Sequence, residues 1–217
     1  MKLLWSKSPN LQVKLAVALT GGLTITQDDS AYAQLVAQGS RYREQYPDTP
    51  PGQIPGINNA RSFFRAIGLD PTKRRPSSEA LLQRALKDKG FHQVNTLVDT
   101  GNWCSLDFLL PICVYDADKI QGGVEFRMGR ENEFYLGHNH NEVHLFGRYC
   151  VADEQGPFGS PITDSVRTAV DTGTKNAVLL IFAPKNYPDQ DLAANLDIFI
   201  QRTGHICGGT LIEKIMI

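Results

Sequence analysis

The stretch that most constrains this chain runs from Val94 to Ile120, VNTLVDTGNWCSLDFLLPICVYDADKI, and closes on the turn Gln121-Gly122-Gly123. Apolar residues at Val94, Leu97, Val98, Trp103, Leu106, Leu109 and Leu110 recur at helical spacing, interrupted at Gly101. Pro111 stops the pattern, because its ring fixes φ and removes a backbone donor. Beyond it Ile112, Val114 and Tyr115 read as a strand, with the polar Asp116 and Asp118 at its end. A buried helix therefore passes directly into a strand, and the rest of the fold has to accommodate that corner.

The flanking sequence supplies helices before the corner and strands after it. Leu11, Val13, Leu15, Val17 and Leu19 alternate as one buried face of a strand. Asp28, Asp29 and Ser30 offer helix-start chemistry for Ala31 to Tyr46, with Tyr32, Leu35, Val36 and Tyr42 as its apolar stripe. Proline and glycine then make Asp48 to Gly56 a rigid loop. Asn58 is placed to cap a helix from Asn59 to Ile67 that Gly68 closes, and Ser77 to cap one from Ser78 to Lys87. From Gly122 onward strands are expected at Val124–Met128, Glu133–Leu136, Val143–Phe146, Tyr149–Ala152 and Ala177–Phe182. A final helix takes Asp189 to Arg202, and periodicity leaves Thr210 to Ile217 open between helix and strand. Helices early and a meander late indicate an α+β fold, and 217 residues fit one domain at ~100–200 residues each.

Composition excludes several classes. No window approaches ~18 uninterrupted apolar residues, and MKLLWSKSPN lacks a signal-peptide core, so no membrane is expected and the cytoplasm is the default location. Cys104, Cys113, Cys150 and Cys207 are widely spaced and read as reduced, buried thiols. The net charge of -1 gives no global attraction to polyanions. Locally, Arg61 to Lys89 carries eight basic residues against three acidic, an excess of five.

The corner segment resembles the core of the B3/B4 domain of the phenylalanyl-tRNA synthetase beta subunit. That family pairs an N-x-x-V-D-x-x-N helix with a P-x-x-x-[FY]-D-x-D-x-I-x-G strand, matched here by Asn95, Val98, Asp99, Asn102, Pro111, Tyr115, Asp116, Asp118, Ile120 and Gly122. Arg127, Val151-Ala152-Asp153, Gly156 to Gly159 and Thr174-Lys175-Asn176 follow in the family's order, so the resemblance covers about Ala60 to Pro184. It implies a three-layer α+β domain with a β-sandwich of unusual topology, residues 1–217 forming one unit with strand and helix 11–46 packed on the family-like core. In the synthetase this domain hydrolyses the ester joining a noncognate tyrosine to tRNA, with water as nucleophile, so its site positions water, binds the amino acid and stabilises an oxyanion. The partners it implies are tRNA or aminoacyl-tRNA, and no cofactor.

Carried over by motif, Gly101 and Asn102 stand where the family has a Thr-Asn pair lining the pocket, Pro111 matches the pocket proline, and Gly159 the Gly-Gly turn. Cys113 replaces a histidine, and Leu180, or Ile181 if the register slips by one, falls where a glutamate recognises the tyrosine hydroxyl. A site built for a hydroxyl rejects analogues through that polar group, so an aliphatic residue there argues against tyrosine. Cys113 reads either as a nucleophile or as a buried thiol at a strand start. His138, His140 and His144 read either as metal ligands on alternate strand positions or as a polar surface turn. Arg61, Arg65, Lys73, Arg74, Arg75 and Arg84 read either as a phosphate-contacting stripe or as a solvated helical face. Two functions stand side by side: an aminoacyl-tRNA-binding protein that hydrolyses mischarged tRNA, and a non-catalytic module for a free amino acid or related ligand.

Overall fold

The computed structural model describes residues 4–217. Along the chain run β1 (Trp5–Lys7), β2 (Val13–Gly21), α1 (Ser30–Gln45), α2 (Ile57–Ala66), α3 (Ser77–Leu86), α4 (Thr96–Phe108), β3 (Ile112–Asp116), β4 (Val124–Met128), β5 (Phe134–Leu136), β6 (Glu142–His144), β7 (Tyr149–Asp153), β8 (Gly156–Gly159), β9 (Asn176–Pro184), α5 (Asp189–Cys207) and β10 (Thr210–Met216).

The corner forms as the sequence predicts. Asn95 caps α4, its side-chain oxygen accepting the N–H groups of Leu97 at 3.1 Å and Val98 at 2.9 Å. Asp99 reaches back to the N–H of Val94 at 3.1 Å, so donors on both sides of the helix start are satisfied. Gly101 does not interrupt the helix. At the other end Leu109 takes a left-handed conformation with φ 52°, the Ser105 hydroxyl donates to the Leu110 carbonyl at 2.8 Å, and Pro111 bars a further turn.

Two four-stranded sheets and a layer of helices stack on one another. The central sheet has the order β10-β2-β9-β3, antiparallel throughout, and the outer sheet the order β1-β4-β7-β8, with β1 parallel to β4. β5 and β6 make a separate hairpin. Both faces of β2 and β9 are buried, which is why they read as nearly continuous apolar runs. Leu15, Val17, Leu180 and Phe182 point toward the outer sheet, where they join Phe126, Val151 and Phe158 and, from α2, Phe63 and Phe64. The alternate residues Ala16, Ala18, Leu179 and Ile181 face α4 and α5 through Leu97, Cys104, Leu196 and Phe199. α1 and α3 pack on the outside of α4 around Leu35, Leu82 and Leu106. The architecture is the three-layer α+β domain that the resemblance implies.

Several local expectations are corrected. α2 begins at Ile57 behind Gly56, whose φ of 88° suits a residue without a β-carbon, so Asn58 lies inside the helix. Ser77 also lies inside its helix, with Pro76 at the cap position and no side-chain cap. α1 buries Ala31, Leu35, Gln38 and Gly39, while Val36 is exposed. α5 continues to Cys207, and residues 210–216 form a strand. β10 pairs with β2 alone and leaves Leu211, Ile212 and Met216 exposed around Glu213 and Lys214, the latter ion-paired to Asp197 of α5. All four cysteines are free and buried. Among the described residues no helix is long and apolar enough to cross a membrane.

Candidate functional site

A cavity of about 410 Å³ opens between α4, the outer side of β3 and the segment from Asp164 to Val170. α4 contributes Val98, Gly101 and Asn102, β3 contributes Ile112, Cys113 and Val114, and His138 comes from the β5–β6 turn. Cys113 and Asn102, from separate elements, therefore line one cavity with Asp164, a residue that no sequence motif singles out.

The corner explains how this cavity arises. β3 is an edge strand, paired only with β9. Phe182 N–H donates to the Pro111 carbonyl at 3.0 Å, so in an antiparallel ladder Cys113 and Tyr115 exchange bonds with β9, and Ile112 and Val114 turn their N–H and C=O groups outward. Those outward groups have no backbone or side-chain partner among the described residues, and both residues line the cavity. The site thus offers two unpaired amide donors at its floor and one carboxylate at its wall.

Asp164 belongs to a tight cluster. The Tyr115 hydroxyl donates to its Oδ1 at 2.8 Å. Burial pushes the Asp164 carboxyl up to about 6, partly countered by that hydrogen bond. Burial also holds the Tyr115 phenol and the Cys113 thiol well above their ordinary ranges, and Cys113 Sγ donates to the Ser160 carbonyl at 3.7 Å. A thiol so held is protonated at neutral pH, which disfavours Cys113 as a nucleophile. Gly159 sits directly against this cluster: a β-carbon there would overlap the Tyr115 hydroxyl and come within 2.8 Å of Asp164 Oδ1.

The other residues singled out by sequence occupy different places. Leu180 is fully buried in the core between the sheets and does not line the cavity, because its side chain follows Cys113 to the outer-sheet face. Pro111 is buried at the base of β3 and acts through its carbonyl. The six-membered basic stripe is corrected to a smaller set. Arg61 makes a bidentate pair with Glu79 at 2.8 and 2.7 Å, and Arg75 Nε lies 3.9 Å from the same carboxylate. Arg84 folds onto the carbonyls of Lys89 and Gly90. Arg65, Lys73 and Arg74 remain without ion pairs among the described residues. The three histidines diverge: His138 lines the cavity, His140 sits in a left-handed turn with φ 59°, and His144 projects from β6 beside Glu142. No cluster suited to a metal ion occurs among the described residues.

Most of the motif residues lock the fold. Asp116 accepts Asp118 N–H and the Thr174 hydroxyl at 3.1 and 2.7 Å, and Asp118 accepts the Asn176 amide at 2.8 Å. Asp153 forms a two-point pair with Arg167 at 2.9 and 3.0 Å and accepts Gln121 N–H, while Arg127 clasps Glu133 at 2.8 and 2.7 Å.

Comparison with known proteins agrees with that pattern. A phenylalanine–tRNA ligase beta subunit of Bartonella henselae is 35% identical over 105 residues, 48% of this chain and 13% of that protein. The corresponding subunit of Neisseria meningitidis serogroup B is 31% identical over 139 residues, 62% of this chain and 18% of that protein. The chain thus spans less than a fifth of the length of either relative. A crystal structure of an N-terminal fragment of the phenylalanyl-tRNA synthetase beta subunit from Pyrococcus horikoshii superposes with a TM-score of 0.50 at 13% identity, covering 99% of this chain and 53% of that one, a likeness of fold. The family profile described as the B3/4 domain matches residues 59–187, from α2 through the corner, strands β4 to β8 and β9. With that match over more than half its length, and with the motif residues locking the corner, the chain belongs to the B3/4 domain family.

Proposed function

We propose that this protein is a B3/4 module that takes up the aminoacyl end of tRNA and hydrolyses the ester of a mischarged amino acid. The observation that carries the reading is the convergence of Gly101, Asn102, the open edge of β3 and Asp164 on one cavity. An aminoacyl ester brings an α-ammonium, a carbonyl and a side chain. Asp164 offers the ammonium a carboxylate, the outward amides of Ile112 and Val114 face a developing oxyanion, and Val94, Val98 and Val170 offer apolar wall. Asn102 is positioned to hold water or the carbonyl. Nothing here requires a protein nucleophile, in keeping with the protonated Cys113. Cation binding by Asp164 strengthens as pH rises through about 6 and weakens again when the ligand's amino group loses its proton near ~8.

A second reading is uptake of a free amino acid without catalysis, favoured by the placement of Leu180 inside the core, where it contributes no polar specificity contact. Incubating the purified protein with a panel of aminoacyl-tRNAs separates the two. Hydrolysis of one species, reduced at least ~10-fold by Asn102→Ala, supports the first reading. Calorimetric binding of free amino acids without any deacylation supports the second, and the absence of both deacylation and binding rejects both readings.

A further inference from the structure

A second cavity, of about 300 Å³, lies on the other side of the Ser160–Thr163 turn. Ile67 and Leu69, following α2, form one wall, and Val143, Leu145, Tyr149 and Ile162 form the apolar remainder. Its charged and imidazole lining consists of Arg74, Arg148, His144 and Glu142. Elsewhere Arg61, Arg127, Arg167 and Arg202 are half-buried or buried and paired with Glu79, Glu133, Asp153 and Asp107, whereas Arg74 and Arg148 are exposed where they line the groove. Arg74 and Arg148 have no side-chain hydrogen bond or ion pair among the described residues. His144 Nε2 lies 3.3 Å from Glu142 Oε2, so the single carboxylate of the groove already has a neighbour. Beside the groove Phe134 packs on His144 with ring centroids 6.0 Å apart, and Phe146 is 71% exposed.

Uncommitted guanidiniums over an apolar and aromatic wall suit a ligand that is anionic at one end and flat and apolar at the other. An unpaired nucleotide has that form, since its phosphate is free to meet arginine and its base face is free to stack. A duplex hides the same base faces. We propose that this groove binds an unpaired nucleotide of single-stranded RNA, its phosphate held by Arg74 and Arg148 and its base against Tyr149 and Ile162. The inference rests on the reading of the chain as a module for aminoacyl-tRNA. It places the strand leading to the ester on one side of the 160–164 turn and the amino acid on the other. The turn is thin enough for this, because Ser160 lines the groove while its carbonyl meets Cys113 at the amino-acid cavity.

The test is equilibrium binding of a short labelled single-stranded RNA to the full chain across a salt series. The parent is compared with Arg74→Ala, Arg148→Ala and Ile162→Asp, and with Lys185→Ala, whose ammonium contacts Gln12 elsewhere, as the control. Each arginine variant is expected to bind roughly 10-fold more weakly and to lower the log–log salt slope by about one, with an unchanged melting curve. Ile162→Asp weakens binding as well, Lys185→Ala does not, and a duplex of the same sequence competes poorly. If the parent binds RNA and both arginine variants match it, or if the duplex competes equally, the groove assignment falls while the module reading survives. If the parent binds neither form of RNA, both fall together.

Discussion

Gly159, Tyr115 and Asp164 form the tightest polar contact in the candidate site, and each constrains the others. Gly159→Ala drives a methyl group into the Tyr115 hydroxyl, so the expected outcome is a loss of about 1–3 kcal/mol in denaturant unfolding together with loss of the proposed hydrolysis. Full stability in that variant would mean that the turn relaxes freely. Asp164 gives a prediction in pH. Its folded pKa of about 6 stands above the ~3.9 of an unfolded aspartate, so between those values the folded state binds more protons than the unfolded one. Stability attributable to this group therefore falls as pH rises from about 4 to about 6 and then levels off. Asp164→Asn should gain on the parent by about 1–3 kcal/mol above pH 7 and match it near pH 4, a difference that unfolding curves at the two pH values will read directly. Asp99, raised to about 6 by burial, acts in the same direction and is common to both proteins.

At the level of elements, α4 forms one wall of the cavity and depends on one cap. Asn95→Ala is expected to cost about 1 kcal/mol and lower the melting temperature, and a loss of ligand binding in excess of that would mean that α4 frays into the site. This corner was legible in the sequence because helical periodicity, the proline and the alternating residues after it all point the same way, while the capping role of Asn95 emerged only in the structure. β2 and β9 were legible for the same reason, their apolar runs being long. β1 and β8 were not, since three or four residues containing serine, or glycine and proline, carry no readable period. The starts of α2 and α3 were misplaced because Asn58 and Ser77 are good caps in general, whereas Gly56 and Pro76 set the local backbone. Gly101, Asn102 and Cys113, which the motif match singled out, line the cavity. Asp164 was missed because it sits in a segment whose sequence gives no motif, and only the folding of Ser160–Asp164 back onto Tyr115 brings it there. Leu180 was misread because a register of matched residues does not say which face of a strand a side chain takes, and Val178, Leu180 and Phe182 all point into the core.

At the scale of the whole molecule, the layers are held by aromatic packing between the sheets. The Phe182 ring lies 5.3 Å from both Phe63 and Phe126, so it joins α2, the central sheet and the outer sheet. Phe182→Ala is expected to cost about 3–5 kcal/mol and to unfold helices and sheets together, coincident transitions by circular dichroism and fluorescence being the check. Separate transitions would show the layers to be independent. The near-neutral charge of -1 gives such a molecule little colloidal repulsion, which makes the edge strand β10 matter beyond its own sheet. Opposed residues in an antiparallel pair must point to the same face, so two copies of β10 joined about a two-fold axis near the strand's centre would set Glu213 against Glu213 or Lys214 against Lys214. The charges between Ile212 and Ile215 therefore act as gatekeepers, keeping a strand with exposed Leu211, Ile212 and Met216 from templating a fibril.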